Sequence, residues 1–230
     1  MTKILIPIET SSGERRVSAT PSAVKKLKCL GCEVYVETSA GSLSGFSDLS
    51  YRESGGAIVS STDSNIWEDA DIVFCVQSPA QENLIKLKKG AILLGLLNPY
   101  GNKDLLEIIN KNKISTLSLE LLPRISRAQS SDVLSSQANI AGYKAVLLAA
   151  SELDRYFPML MTAAGTVQPS KVVVLGGGVA GLQAVATAKR LGAIVFVSDI
   201  RPAVKEQVES LGARFIELPE IDEKPGEKGG

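Results

Sequence analysis

Three glycines, Gly176, Gly178 and Gly181, follow directly on the apolar run Val172-Val-Val-Leu175 and open a stretch with helical periodicity. The first permits a tight turn, the second lets a ligand approach the backbone, and the third lets helix pack on strand. A second apolar run, Ala193–Ser198, leads to Asp199, about 20 residues beyond the glycines. Strand, G-x-G-x-x-G, helix, strand, acid is the signature of a dinucleotide-binding βαβ unit. A helix N-terminus, with unpaired amides and a positive dipole end, suits a pyrophosphate. A tight strand–helix turn without any ligand is the plainer alternative, and the complete pattern argues against it. Asp199 is placed to accept hydrogen bonds from adenosine ribose hydroxyls and to repel a 2′-phosphate, which favours NAD(H). Arg201, two residues on, offers such a phosphate a counter-charge.

The fingerprint comes late in a chain of 230 residues, so a whole domain precedes it. In that domain the sequence predicts strands at Lys3–Ile8, Glu33–Glu37, Ala57–Val59, Asp71–Val76, Ala91–Leu94 and Ile114–Ser118. Helical patterns lie between them at Pro21–Leu30, Gln81–Lys88 and Lys103–Lys111, and Gly41–Gly56 reads as a loop with a short helix. Repeated strand–helix order predicts a parallel sheet covered on both faces. From Asp132 to Phe157 the pattern becomes one long helix, preceded by serines that can cap it and followed by Pro158. Ala138, Ala141, Ala145 and Ala149 give it a small-residue face for close packing. Met159–Ser170 reads as an irregular connection. The cofactor unit then predicts strand Lys171–Leu175, helix Val179–Leu191, strand Ala193–Ser198, helix Ala203–Leu211 and strand Arg214–Leu218. The expected fold is α/β: two Rossmann-like, doubly wound parallel-sheet domains joined by a long helix, the second incomplete. The divisions expected are 1–131, 132–163 and 164–230, with the charged, glycine-rich tail Glu220–Gly230 reading as a loop cut before its next element.

Composition excludes several function classes. Lysine plus arginine and aspartate plus glutamate number 25 each, so there is no net charge to attract nucleic acid or anionic lipid. The longest apolar stretches, such as Ala91–Leu97, are too short to span a bilayer. The N-terminus lacks the apolar core and cleavage site of a signal peptide, which makes a cytoplasmic protein the default expectation. Cys29 and Cys32 form a lone C-x-x-C without a thioredoxin-like context or a second pair for zinc, and no metal site is expected. There is no histidine. Hydride exchange between two nicotinamides needs no proton shuttle, whereas many alcohol and amine dehydrogenases use histidine for one.

A second polar constellation, Pro123-Arg-Ile-Ser-Arg-Ala-Gln-Ser-Ser-Asp-Val-Leu-Ser-Ser136, stands where a strand gives way to the long helix. Arg124, Arg127, Gln129, Asp132 and Ser135 suit recognition of a carboxamide and of phosphate or carboxylate. Spacing alone does not separate such a site from a solvated capping loop.

The chain resembles the NAD(H)-binding alpha subunit of proton-translocating NAD(P) transhydrogenase, within the alanine dehydrogenase/transhydrogenase superfamily. The resemblance rests on Pro123-Arg-Ile-Ser-Arg-Ala-Gln-Ser130, Leu134-Ser-Ser-Gln-Ala-Asn-Ile-Ala-Gly-Tyr143 and Gly178-Val-Ala-Gly-Leu182. Glu14-Arg-Arg-Val-Ser-Ala-Thr-Pro21, Met161-Thr-Ala-Ala-Gly-Thr166 and Lys205-Glu-Gln-Val-Glu-Ser-Leu-Gly212 extend it along the chain. It implies that Arg124, Ile125, Ser126, Arg127, Gln129, Asp132 and Ser135 surround the nicotinamide, with Gln129 reaching toward the second nucleotide. Gly176, Gly178, Val179, Gly181, Asp199, Ile200 and Arg201 would hold the adenosine half, and Gly230 would begin a further cofactor loop. The resemblance also implies NADP(H) on a partner beta subunit, membrane-spanning subunits that couple hydride transfer to proton movement, a homodimer, and a place on the cytoplasmic face of the inner membrane. Two other readings stand beside it. One is a truncated, inactive fragment that binds NAD or a partner. The other is an alanine-dehydrogenase-like enzyme: Arg16 matches that enzyme's substrate-carboxylate arginine, but its lysine is expected where Cys75 stands and its histidine has no counterpart.

Overall fold

Val73 and Cys75 are buried on one face of their strand, and Leu5 on the neighbouring strand shares their core, while the next residue, Ile6, belongs to a core on the opposite face. This two-sided burial organises the first of two units, Met1–Asp132 and Val133–Gly230, in a computed structural model that describes residues 1–60, 62 and 65–217. The tail Glu220–Gly230, with Gly230, and Leu218 lie outside the described residues.

The first unit runs β1 (Lys3–Ile6), α1 (Pro21–Cys29), β2 (Glu33–Glu37), α2 (Asp48–Glu53), β3 (Ala57–Val59), α3 (Ile66–Asp69), β4 (Ile72–Gln77), α4 (Gln81–Leu84), β5 (Ile92–Leu96), α5 (Lys103–Asn112) and β6 (Ser115–Ser118). The six strands form one parallel sheet in the order β3-β2-β1-β4-β5-β6. Successive connections lead outward from β1 on one side and from β4 on the other, which makes the β1–β4 junction a topological switch point. Helix starts follow local chemistry. Thr20 caps α1 by accepting from the Ala23 amide at 3.3 Å, and Asn102 caps α5 through the Leu105 amide at 3.1 Å. The pattern expected to be helical over Gln81–Lys88 closes after one α-helical turn. Leu84 and Leu87 are both buried three residues apart, and the chain continues with i→i+3 bonds from Lys86 to Asn83 and from Leu87 to Leu84.

The second unit comprises α6 (Val133–Glu152), the antiparallel pair β7 (Leu160–Thr162) and β8 (Gly165–Val167), then β9 (Lys171–Leu175), α7 (Val179–Arg190), β10 (Ile194–Ser198), α8 (Val204–Ser210) and β11 (Arg214–Phe215). The last three strands form a parallel sheet ordered β11-β10-β9 over a core of Val195, Val197, Val185, Ala188, Val204 and Val208. Three expectations change here. The long helix stops at Glu152, because Phe157 enters the core and the chain turns inward through an Arg155-to-Leu153 bond. Met159–Ser170 is not irregular, since it contains the β7–β8 hairpin. Finally, α6 does not use its expected alanine face against its neighbour. It buries Gly142 and Val146, with Ala150 partly buried beside them, while Ala141, Ala145 and Ala149 remain exposed. A β-carbon on Gly142 would lie 2.0 Å from the Ala180 carbonyl oxygen, so the two helices cross at backbone distance.

Candidate functional site

In the second unit the fingerprint forms the turn from β9 into α7. Gly176 takes a φ of 94° and donates its amide to Ser198 at 2.8 Å, prolonging the β9–β10 ladder. Gly178 is the helix N-cap, and a β-carbon there would meet nothing within 4 Å, so the space above it is open to a ligand. Gly181 is the opposite case: its β-carbon would fall 1.7 Å from the Gly176 carbonyl oxygen. The glycine roles read from the motif are thus realised as a turn, an open approach and a backbone-to-backbone contact. Val179 and Ile200 are exposed beside this mouth.

Asp199 directly follows β10, with only 5% of its side chain exposed. One carboxylate oxygen accepts from the Gly177 amide at 2.7 Å and the Arg201 Nη2 at 3.0 Å. The other accepts from the Arg201 amide at 2.8 Å and its Nε at 3.0 Å. The Arg201 guanidinium, with the Arg201 and Gly177 amides, holds the carboxyl well below the usual aspartate range. The sequence leaves Arg201 available to a 2′-phosphate, whereas the fold lays it across Asp199. The Gly177 amide, which fixes Asp199 against the glycine turn, escapes motif reading because its position in G-x-G-x-x-G is unspecified.

In the first unit, the segment after β6 passes through two 3-10 turns, Leu119–Leu121 and Ser126–Ser131. Arg124, Ile125, Ser126, Arg127 and Gln129 are exposed along it, Asp132 is half-buried, and an Asp132-to-Gln129 main-chain bond closes the second turn. Glu120 anchors its start by accepting the amide of Asn98, whose φ is 47°. Ser135 belongs to the first turn of α6, in the second unit, and is half-buried. The first unit therefore groups Arg124 through Asp132 on one exposed loop, and the second groups the glycines with Val179, Asp199, Ile200 and Arg201.

The switch point of the first unit carries a separate charged cluster. Arg16 donates to Glu14 in bidentate fashion, through Nε at 2.8 Å and Nη2 at 2.6 Å, and Gln77 adds an amide bond to Glu14 at 3.2 Å. The Arg16 contact pulls the Glu14 carboxyl down to about 2 from an ordinary 4.5. Glu9 accepts from the Val76 and Gln77 amides, and its burial pushes its carboxyl upward. Cys75 lines the same small cavity as Glu9 and Gln77. Its thiol is buried, donates to the Leu94 carbonyl at 3.4 Å and is pushed up by burial. Two positions along the strand, Gln77 is the residue that meets Arg16's partner. Cys29 and Cys32 are free thiols. Among the described residues no helix is long and apolar enough to cross a membrane.

Comparison with known proteins follows this geometry. The chain matches the alanine dehydrogenase/PNT N-terminal domain over residues 5–141 and the corresponding C-terminal domain over residues 145–228. It is 48% identical over 233 aligned positions to the first part of the NAD(P) transhydrogenase alpha subunit from Rhodospirillum rubrum, covering 99% of this chain and 60% of that protein. The solved transhydrogenase from Sinorhizobium meliloti superposes with a TM-score of 0.90 at 46% identity, over 94% of this chain and 62% of that one. An L-alanine dehydrogenase structure gives 0.81 at 28% identity, over 93% and 60%. The chain therefore spans about three-fifths of the length of such relatives. With both family domains matched and the same α/β architecture, this chain belongs to the alanine dehydrogenase/PNT family.

Proposed function

We propose that the chain is the NAD(H)-holding portion of a proton-translocating NAD(P) transhydrogenase alpha subunit. In this reading it presents NAD(H) for direct hydride exchange with NADP(H) on a beta subunit, and membrane-spanning subunits carry the coupled proton movement. The observation that carries the reading is the β9–α7 turn, with open space over Gly178, a helix too close at Gly181 for any side chain, and the Asp199 carboxylate locked beside it. That donor set fits a dinucleotide: free amides at a helix start for the pyrophosphate, and a buried carboxylate for a diol. Identity to transhydrogenase alpha subunits, rather than the turn itself, supports the choice of reaction.

Nicotinamide, when bound, supplies the carbon that gives or takes the hydride, so the chain's own side chains orient and shield. The amides opening α7 bind phosphate, and Asp199 accepts the ribose hydroxyls once Arg201 has turned away. On the exposed loop, Arg124 and Arg127 supply positive charge, and Ile125 and Ser126 complete the wall. Gln129, Asp132 and Ser135 hold the carboxamide, with Gln129 also facing the second nucleotide. Orientation and exclusion of water are then the main sources of rate. The proposed organisation is residues 1–131 as a first domain, 132–163 as linking helix and connection, and 164–230 as the nucleotide domain. The assembly is a homodimer at the cytoplasmic face of the inner membrane.

NADH fluorescence titration of the chain tests this. Saturable binding that weakens more than about tenfold in Asp199→Ala is expected, since hydrogen bonds to a charged group are lost. Absence of saturation at millimolar NADH would instead support the fragment reading. Alanine-dependent reduction of NAD would support the alanine dehydrogenase reading, against which the engaged Arg16 and the buried Cys75 already weigh.

A further inference from the structure

The face of the first sheet that carries Leu5 is covered unevenly. By register, Lys3 and Leu5 of β1, Tyr35 of β2 and Val59 of β3 project from this one face. Toward β4 and β5 it is closed by Leu84, Leu87, Leu105 and Ile109, all buried. Toward β2 and β3 the cover among the described residues is α3, which packs on β1. Four residues make about 6 Å of helix, against about 16 Å of strand for the five of β2. Trp67 of that turn enters the core, but Tyr35, Val59 and Ile66 stay only partly buried. The shortfall leaves a cavity of about 260 Å³ walled by Leu5, Val59, Ile66, Ala70 and Tyr35.

Its remaining lining carries one charge of each sign. Lys3 Nζ donates to Asp69 Oδ2 at 3.2 Å, and both side chains reach solvent. The neighbouring charges are already engaged: Lys88 holds Asp71 at 2.6 Å, and the Tyr35 hydroxyl donates to Glu33 at 2.9 Å. This is not the end of the sheet that the nucleotide uses in the function proposed above. Lys3 opens β1, and Asp69 and Ala70 precede β4, whereas the Arg124–Asp132 loop follows the C-terminal end of β6.

The chemistry of the cavity selects its occupant. Its volume exceeds the roughly 150 Å³ that holds a benzene ring, which leaves room for a ring and a short substituent. A ligand with a single charge, set beside the Lys3–Asp69 pair, meets a like charge 3.2 Å from its partner. A zwitterion laid head to tail against the pair meets opposite charges on both sides and leaves the pair intact. We propose that this cavity binds a free amino acid with a ring-sized apolar side chain. Its carboxylate lies on Lys3, its ammonium on Asp69, and its side chain against Leu5, Val59, Ile66 and Ala70.

Titration of the full chain with L-phenylalanine tests this, followed by the emission of Trp67, the only tryptophan, which neighbours Ile66 in α3. Saturable binding with a dissociation constant of about 1 mM or tighter is expected. Glycine, which keeps the head and lacks the ring, binds more than about tenfold more weakly. Phenylacetate and phenethylamine, each lacking one charge, bind about fivefold more weakly or worse. In Lys3→Gln the difference between phenylalanine and phenethylamine disappears. Val59→Phe fills the cavity from the β3 edge and weakens phenylalanine binding more than about tenfold, while NADH titration is unchanged. Far-UV circular dichroism checks that this variant is folded, and the comparison of ligands on the wild type decides without it. No saturation up to about 20 mM phenylalanine, or equal binding of glycine or of either singly charged analogue, would overturn the proposal, as would undiminished binding in folded Val59→Phe.

Discussion

At Gly181 a single methyl group decides whether the nucleotide turn exists, since it would overlap the Gly176 carbonyl oxygen. Neither atom is a mobile side-chain end, so Gly181→Ala shifts α7 away from β9. The expected cost is about 1–3 kcal/mol of stability from overpacking, together with weakened NADH binding. Urea denaturation and fluorescence titration measure the two. Glu14 provides the pH-dependent case. Its carboxyl is lowered from 4.5 to about 2 by Arg16, so its contribution is fully present above pH 4.5 and is lost as pH falls toward 2. Arg16→Ala removes this contribution, and the stability of the variant changes less with pH over that window. Fluorescence-monitored denaturation at stepped pH is the measurement. Asp199 was legible in the sequence because its meaning lies in a short interval after a glycine turn. Gln77 was not, since which residue of β4 reaches the Glu14–Arg16 pair depends on strands far apart in the chain and on which face is buried.

The helix α6 shows what sequence periodicity can settle and what it cannot. Apolar and small residues surround it almost completely, so its existence and start were readable, while its end and its buried stripe were not. The deciding contact is Gly142 against Ala180, a backbone approach that favours the only glycine on the helix over its more numerous alanines. Gly142→Leu is expected to push α6 off the first turn of α7, to destabilise the protein by about 1–3 kcal/mol or more, and to weaken NADH binding. Ala145→Leu, on the exposed side, is expected to change stability by no more than about 0.5 kcal/mol. Equal losses in the two variants would contradict the assigned face. The hairpin was partly written in Met161-Thr-Ala-Ala-Gly-Thr166, where apolar and threonine residues flank a glycine-containing turn. Three-residue strands are too short to show a period of their own, which is why the segment reads as irregular.

Over the whole molecule, strand–helix alternation gave the α/β class and most element positions, because each parallel strand must be apolar enough to be buried. Strand order had no such local trace: β1 lies between β2 and β4, and only the assembled sheet shows it. The reaction proposed for the complete assembly has its own test. With partner subunits supplied, Gln129→Asn is expected to slow hydride transfer by about tenfold or more, through a shortened reach and lost alignment, while NADH affinity changes little. Stopped-flow absorbance and equilibrium titration give the two values, and an unaltered rate would remove Gln129 from the mechanism. The sheet order also bears on how the protein is made. One edge of β1 is satisfied once β2 emerges from the ribosome, but its other edge waits for Ile72–Gln77. At roughly 5–20 residues per second, that edge stays open for seconds in every nascent chain. Crowded polysomes bring such edges from neighbouring chains together, so early-acting chaperones have most to protect before β4 has been synthesised.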